Sequence, residues 1–379
     1  MHVVCVGLAT VDLVQRVDRM PGPDEKAEAL SASVAAGGPA TNAAVTAAAL
    51  GATVTLVTAV GSHPLAALIR ADLAECGVTL LDATPEATTP PPVSAVTVLA
   101  ATGQRTIVSR NARGSEVAAP AGLASVLASA DVVLVDGHHP ALARAAAASG
   151  RLLVLDAGSW RPIFAELLPL ADVVAASAAF RLPTPGLSTA GLPTPGPTDA
   201  THPAADFATP DANPPAAAYA APDADPPAAD LAAPNANPPG ADLAAPNANP
   251  PAAGSAALGV GPPTADLAQP GPTDVVPPPG DHEGISAREA LRVAGVRRGA
   301  ITRGPDPIIW WSGDENGELA VPAVPAVDTA GAGDVFHGAL AVALGRGLTL
   351  VPALRFATEI AGIRVRHAGP RSWLAALRG

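Results

Sequence analysis

"VDTAGAGDVFHGAL", residues 327–340, brings three small residues, Gly331, Ala332 and Gly333, to the start of an apolar run and sets a carboxylate, Asp334, just inside it. The pattern predicts a helix over 334–345 with the acid in its first turn. Bare backbone at a helix start lets several unbonded N–H groups converge on one point, and the helix dipole makes that point a site for phosphate or another developing anion. A carboxylate beside it can accept the proton of an attacking hydroxyl, which suits phosphoryl transfer to an alcohol. Asp334 could equally do no more than complement the helix dipole, worth ~0.3–1 kcal/mol. The turn alone does not separate the two readings.

Two segments near the other end carry related chemistry. "AAGGPATNAAVTAAALGA" (35–52) again brings glycines, Gly37 and Gly38, to a helix start, with Asn42 in the first turn. "GLATVDLV" sets Asp12 just after the first predicted strand, where an α/β fold places ligands and where an acid can accept two adjacent sugar hydroxyls. Its plainer reading is a turn-stabilising Asp.

Between these segments, continuously apolar runs alternate with alanine-rich helices. Strands are expected at 3–8, 52–61, 131–137, 151–158 and 172–177, and helices at 41–50 and 64–76, the latter capped by Gly77. "VSAVTVLA" and "RTIVSRN" flank a hairpin turn at 101–104, and a second hairpin is expected from "DPIIWWSG" and "GELAVPAV". A helix at 286–295, a strand ending at 304 and a closing helix at 352–366 complete the pattern. Such alternation argues for a parallel sheet covered on both faces.

From about residue 182 to 285 the character changes. Four 12-residue repeats span 208–255, beginning "ATPDANPPAAAY" and ending "AAPNANPPAAGS". Paired prolines favour extended polyproline II and exclude helix or interior strand, so a disordered, low-complexity insertion is expected, either a tolerated surface loop or a docking tract for a Pro-binding partner. The expected organisation is one α/β domain, 1–181 and 286–379, interrupted once. The net charge of −12 belongs to the insertion: outside it, 23 acids face 22 bases. No basic footprint for nucleic acid exists. The two cysteines, Cys5 and Cys76, show no metal-ligand spacing, and no run approaches the ~20 apolar residues of a membrane span. A soluble, cytoplasmic setting is the default expectation.

In this order the three segments resemble the ribokinase-like PfkB carbohydrate kinase family. Its signature D-T-x-G-A-G-D is complete as Asp328-Thr329-Ala330-Gly331-Ala332-Gly333-Asp334, and its G-G-x-x-x-N helix start followed by L-G appears as Gly37/Gly38, Asn42 and Leu50-Gly51. The resemblance implies a three-layer α/β/α sandwich with a small β lid from about 14–34 and 93–110. It also implies an ATP- and Mg²⁺-dependent kinase acting on a sugar hydroxyl, with K⁺ as a further candidate cofactor and a homodimer through the lid as a candidate assembly. Asp334 would be the general base, and the Gly331–Gly333 turn, through the N–H groups of Ala332 and Gly333, would hold the phosphoryl charge. Asp12, Gly37, Gly38 and Asn42 would bind the sugar, and Arg105 would reach an anionic group on it from the lid. Thr302, Gly304, Thr329 and Gly369 would lie along the nucleotide.

Three departures qualify this. Many members carry N-x-x-E where this chain has Ser177-Ala178-Ala179-Phe180, so no metal ligand is assigned. Pro39 replaces a Lys of ribokinases proper, and "GGPATNAA" with "VDGHHP" and "LDAGSW" looks closer to the ketohexokinase and sulfofructose-kinase branch, so a keto-sugar is favoured. His138 and His139 are candidates to line the cleft. A non-catalytic sugar- or nucleotide-binding protein on the same fold is the alternative.

Overall fold

The computed structural model describes residues 1–113, 117–183 and 283–378. The expected insertion at 182–285 lies almost wholly outside them. In chain order the elements are β1 (His2–Val6), β2 (Thr10–Val17), β3 (Ser31–Gly37), α1 (Pro39–Ala49), β4 (Thr53–Thr58), α2 (Pro64–Glu75) and β5 (Val78–Asp82). Then come β6 (Val93–Leu99), β7 (Arg105–Ser109), α3 (Leu123–Ala128), β8 (Val132–Val135), α4 (Pro140–Ala147), β9 (Leu152–Ala157), α5 (Phe164–Leu167) and β10 (Val173–Ser177). The chain closes with α6 (Glu283–Val293), β11 (Arg298–Arg303), β12 (Asp306–Ser312), β13 (Glu315–Leu319), α7 (Ala332–Gly345), α8 (Leu350–Val365) and α9 (Leu374–Arg378).

Nine strands form one sheet in the order β13-β12-β11-β10-β9-β8-β1-β4-β5. The apolar runs read from the sequence, among them Val3–Val6 and Val132–Val135, are buried on both faces, as a parallel strand between two helical layers must be. Only β12 runs against the other strands, near one edge and paired antiparallel with both β11 and β13, so the second predicted hairpin is the end of a β11-β12-β13 meander. Two separate cores flank the sheet, one centred on α1, α7 and α8, the other on α3, α4 and α6. Strand order reverses between β8 and β1, and an open α/β sheet binds ligands outside the carboxyl ends of its strands at such a point.

A second sheet, β3-β2-β6-β7, is the expected lid. Asp12 belongs to it: the residue lies within β2, not in a turn after the first strand. The lid docks on residues 327–329. Arg16 donates to the carbonyls of Val327 and Ala100, and the hydroxyl of Thr329 donates to the Gly103 carbonyl at 3.0 Å.

Small residues let α1 and α7 approach until backbone meets backbone. A methyl group added at Gly338 of α7 would lie 2.4 Å from the Ala43 carbonyl oxygen of α1. Gly338→Ala therefore forces the helices apart, at a cost of about 1–3 kcal/mol. Urea unfolding of that variant should show a lower midpoint at an unchanged slope. The same displacement moves Asn42 of α1 away from Asp334 of α7, so kcat should fall as well.

Candidate active site

Gly331 caps α7 in the left-handed conformation (φ 70°), which places Asp334 at the third helical position. The N–H groups of Gly331, Gly333 and Asp334 find no acceptor among the described residues, whereas that of Ala332 reaches the Thr329 carbonyl at 3.3 Å. The turn thus leaves the Gly333 N–H free to donate and that of Ala332 partly engaged. Asn42 donates from Nδ2 to Asp334 Oδ2 at 2.8 Å. Burial, then the negative charge of Asp156, push the Asp334 carboxyl up to about 6; the Asn42 hydrogen bond and the charges of His337 and Arg105 oppose them.

A layer beneath this carboxylate escaped sequence reasoning. His337, one turn further along α7, sits with Nδ1 3.2 Å from Asp156 Oδ2 at the end of β9, and its Nε2 is 3.0 Å from the Ala175 carbonyl. Burial alone would lower the pKa of His337, but Asp156, Asp334 and the carbonyl raise it above the ordinary value. The pair supplies one negative and one positive charge to Asp334 from below.

On the acceptor side, Asp12 accepts a hydrogen bond from Thr10 Oγ1 at 2.5 Å and another from Ser94. Burial raises its pKa, against these hydrogen bonds and the Arg371 charge. Its carboxylate fills the space where a side chain at Gly37 would stand. Gly38 (φ 99°) follows, with the Leu8 carbonyl 2.4 Å from where a Cβ would be. Arg371 was not anticipated. It pairs with Asp72 at 2.7 Å, donates to the Ala36 carbonyl at 2.6 Å and contacts Asn42 Oδ1 at 3.4 Å, so it orients the residue that holds Asp334. Its partners lie about 300 residues away, and no local pattern announces them.

The remaining expected positions are spread more widely. Arg105 donates from Nη1 to Thr329 O at 3.0 Å and Oγ1 at 3.1 Å, stapling lid to turn, and its charge acts on Asp334. Thr329 is accordingly held by the lid on one side of the turn. Thr302 ends β11 with its hydroxyl on the Ala176 carbonyl, and Gly304 (φ 66°) makes the following turn. The Gly369 N–H donates to Asp328 Oδ2 at 3.0 Å. That carboxylate, 2% exposed, also binds Arg364 at 3.1 Å, and Arg364, 3% exposed, donates further to the carbonyls of Asp328 and His367. His138 lines a cleft beside the site, while His139 is buried at the start of α4. In the stretch Ser177–Phe180 the Ser177 hydroxyl donates to the Gly158 carbonyl, and no carboxylate is present. No group of three acidic, His or Cys side chains suited to a metal occurs among the described residues, and no described helix is long and apolar enough to cross a membrane.

Comparison with known proteins places this fold among others. Solved structures with the same fold include Arabidopsis thaliana ribokinase complexed with ribose and ATP (21% identical, TM-score 0.61, covering 100% of this chain and 98% of that one). Ribokinase from Giardia lamblia (16%, TM-score 0.62, 99% and 98%) and adenosine kinase from Sinorhizobium meliloti (16%, TM-score 0.58, 99% and 98%) are others. A 71-residue stretch is 41% identical to ribokinase of Bacillus subtilis (strain 168); it spans 18% of this chain and about a quarter (24%) of that relative. The pfkB family carbohydrate kinase model matches residues 1–179 and 273–376, both halves of the described α/β unit, and the chain belongs to that family.

Proposed function

We propose that the protein is an ATP-dependent kinase that transfers the γ-phosphoryl group to a hydroxyl of a small sugar. One observation carries the reading. Asp334 stands in the first turn of α7 beside the unengaged N–H groups of Gly331 and Gly333, held by Asn42 at 2.8 Å and with its pKa raised to about 6. A base of that pKa is ionised at pH 7 yet is a better proton acceptor than an ordinary carboxylate. The acceptor hydroxyl gives its proton to Asp334 as its oxygen attacks the γ-phosphorus. The N–H groups of the turn take the developing charge.

ATP would lie along Thr302, Gly304, Thr329 and Gly369. Mg²⁺ would arrive with the phosphates, since that ion keeps most of its waters and is held by one or two carboxylates at most. No described residue is assigned as its ligand. K⁺ belongs to the family resemblance. Here Asp328 already holds the guanidinium of Arg364, which supports a turn fixed by an internal cation. A keto-sugar acceptor rests on the wording of 37–44 and 136–160. Pairing through the lid is supported by an exposed apolar row across it, Val34, Leu13 and Val108, joined through Ala95.

ADP release measured with ATP and a panel of sugars and nucleosides tests the reading. Turnover on at least one sugar is expected. Tight calorimetric binding of ATP or sugar with no turnover on any panel member would favour a non-catalytic binding protein. The pH profile is a second check. Because the raised pKa belongs to the base, kcat/KM should fall below about pH 6. His337→Asn removes a neighbouring positive charge and should move that limb to higher pH. A limb left at the ordinary carboxylate value near 4 would remove Asp334 from this role.

A further inference from the structure

Beside the acceptor residues lies a cleft of about 760 Å³, lined by Ser109 at the end of β7, by Arg110 and Arg113 just after it, and from the loops after β8 and β9 by His138, Trp160 and Arg161. The guanidinium groups of Arg110, Arg113 and Arg161 pair with no carboxylate among the described residues. At the rim, Arg144 is already matched by Glu166 at 2.7 Å. Three unneutralised guanidiniums facing one cavity are costly to assemble and are the usual means of gripping an oxyanion.

Two chains of contacts join this cleft to the acceptor site. The Ser94 hydroxyl donates to Asp12, and its oxygen lies 3.1 Å from the Ser109 hydroxyl on the cleft wall. On the other side Asp136 Oδ2 accepts from the N–H groups of Leu8 (2.9 Å) and Ala40 (3.1 Å), next to Gly38. Its Oδ1 accepts from the His138 N–H at 2.9 Å and lies 3.0 Å from His138 Nδ1, while Nε2 of that ring contacts Arg161 Nη2. His138 thereby orients Arg161, anchored through a carboxylate held 1% exposed at the end of β8.

We propose that the acceptor is an anionic sugar whose phosphate or sulfonate group is bound by Arg110, Arg113 and Arg161 while a distal hydroxyl meets Asp334. This deepens the kinase reading and rests on it. The bond from the γ-phosphorus to the ADP oxygen breaks as a P–O bond forms to the sugar hydroxyl, and the proton passes to Asp334. The products are ADP and a sugar bearing both the original anionic group and a new phosphate. A phosphate dianion balances three arginines better than a single charge, and both phosphate and sulfonate offer three oxygens to three guanidiniums where a carboxylate offers two, so the tetrahedral oxyanions are favoured over a carboxylate.

The test is ADP release with matched acceptors: fructose against fructose 6-phosphate and 6-deoxy-6-sulfofructose, ribose against ribose 5-phosphate, and 2-keto-3-deoxygluconate as the carboxylate arm. A preference of at least ~100-fold in kcat/KM for a phosphate or sulfonate over its neutral partner is expected, since charge-assisted contacts are individually worth ~10- to 100-fold. Arg110→Gln with Arg113→Gln, at exposed positions where folding is safe, and separately Arg161→Gln, should erase most of that preference, chiefly through KM. Turnover of neutral sugars with no preference overturns the inference and leaves the kinase standing. A preference for the carboxylate arm alone, or one that survives both variants, overturns the assignment of the group or of its site. No turnover on any acceptor overturns the kinase reading, and the inference with it.

Discussion

Asp334→Asn lowers kcat by about 10²–10⁴-fold, the usual worth of a positioned general base, while leaving the fold at least as stable as before. The two halves of this expectation have one cause. An ionised carboxylate whose folded pKa is raised to about 6 is a burden on the folded state at neutral pH. Its favourable contribution is present only below the unfolded pKa and is lost as pH rises through the folded value. Asparagine has the same shape, cannot ionise, and can still accept the hydrogen bond from Asn42 Nδ2. The variant should therefore melt at an equal or higher temperature at pH 7, and that advantage should disappear near pH 4. ADP release with a saturating acceptor, beside thermal melts at the two pH values, reads both. An Asp334→Asn protein that turns over like wild type would leave the acid with no more than its helix-dipole role. Lost activity with lost stability would mean a structural part instead.

Why this carboxylate was legible in the sequence, and its neighbours were not, follows from the range of the forces. The glycines, the acid at the third helical position and the apolar run after it are all local, and a helix start is decided within one turn. The same holds for Gly37, Gly38 and Asn42 at α1 and for the parallel strands, whose burial on both faces demands an unbroken apolar run. Asp156, Arg371 and Arg364 obey no such period. Each acts on a partner that only the fold brings near: Asp156 on His337, Arg371 on Asp72 and Asn42, Arg364 on Asp328. The contacts of Arg105 were hidden for the same reason. Its place at the base of β7 was readable, but the docking of the lid on Thr329 was not. Asp12 lies in β2 because the chain leaves the main sheet two residues earlier than the apolar pattern suggests.

The second large effect belongs to Arg364. Its guanidinium, 3% exposed, ties the Asp328 carboxylate and carbonyl to the His367 carbonyl, so it joins the segment entering the Gly331–Gly333 turn to the turn following α8. Removing one partner of a buried ion pair leaves the other charge without compensation, which costs about 3–5 kcal/mol. Arg364→Met, close in volume and unable to carry charge, should lower the urea midpoint by a corresponding amount. Asp328→Asn with Arg364→Met removes both charges and should recover part of that loss, since coupled neighbours depart from additivity by about 0.5–3 kcal/mol. Activity should not recover with it. Asp328 Oδ1 accepts from the Ala330 N–H at 2.9 Å and Oδ2 from that of Gly369, so the carboxylate sets the path of the chain into Gly331–Gly333. With both charges gone the fold persists but that path loosens, and the penalty should appear in kcat more than in KM for the acceptor. If the double variant is as unstable as Arg364→Met alone, the pair is not the source of the stability. If it regains full kcat, the pair holds the fold together without shaping the site.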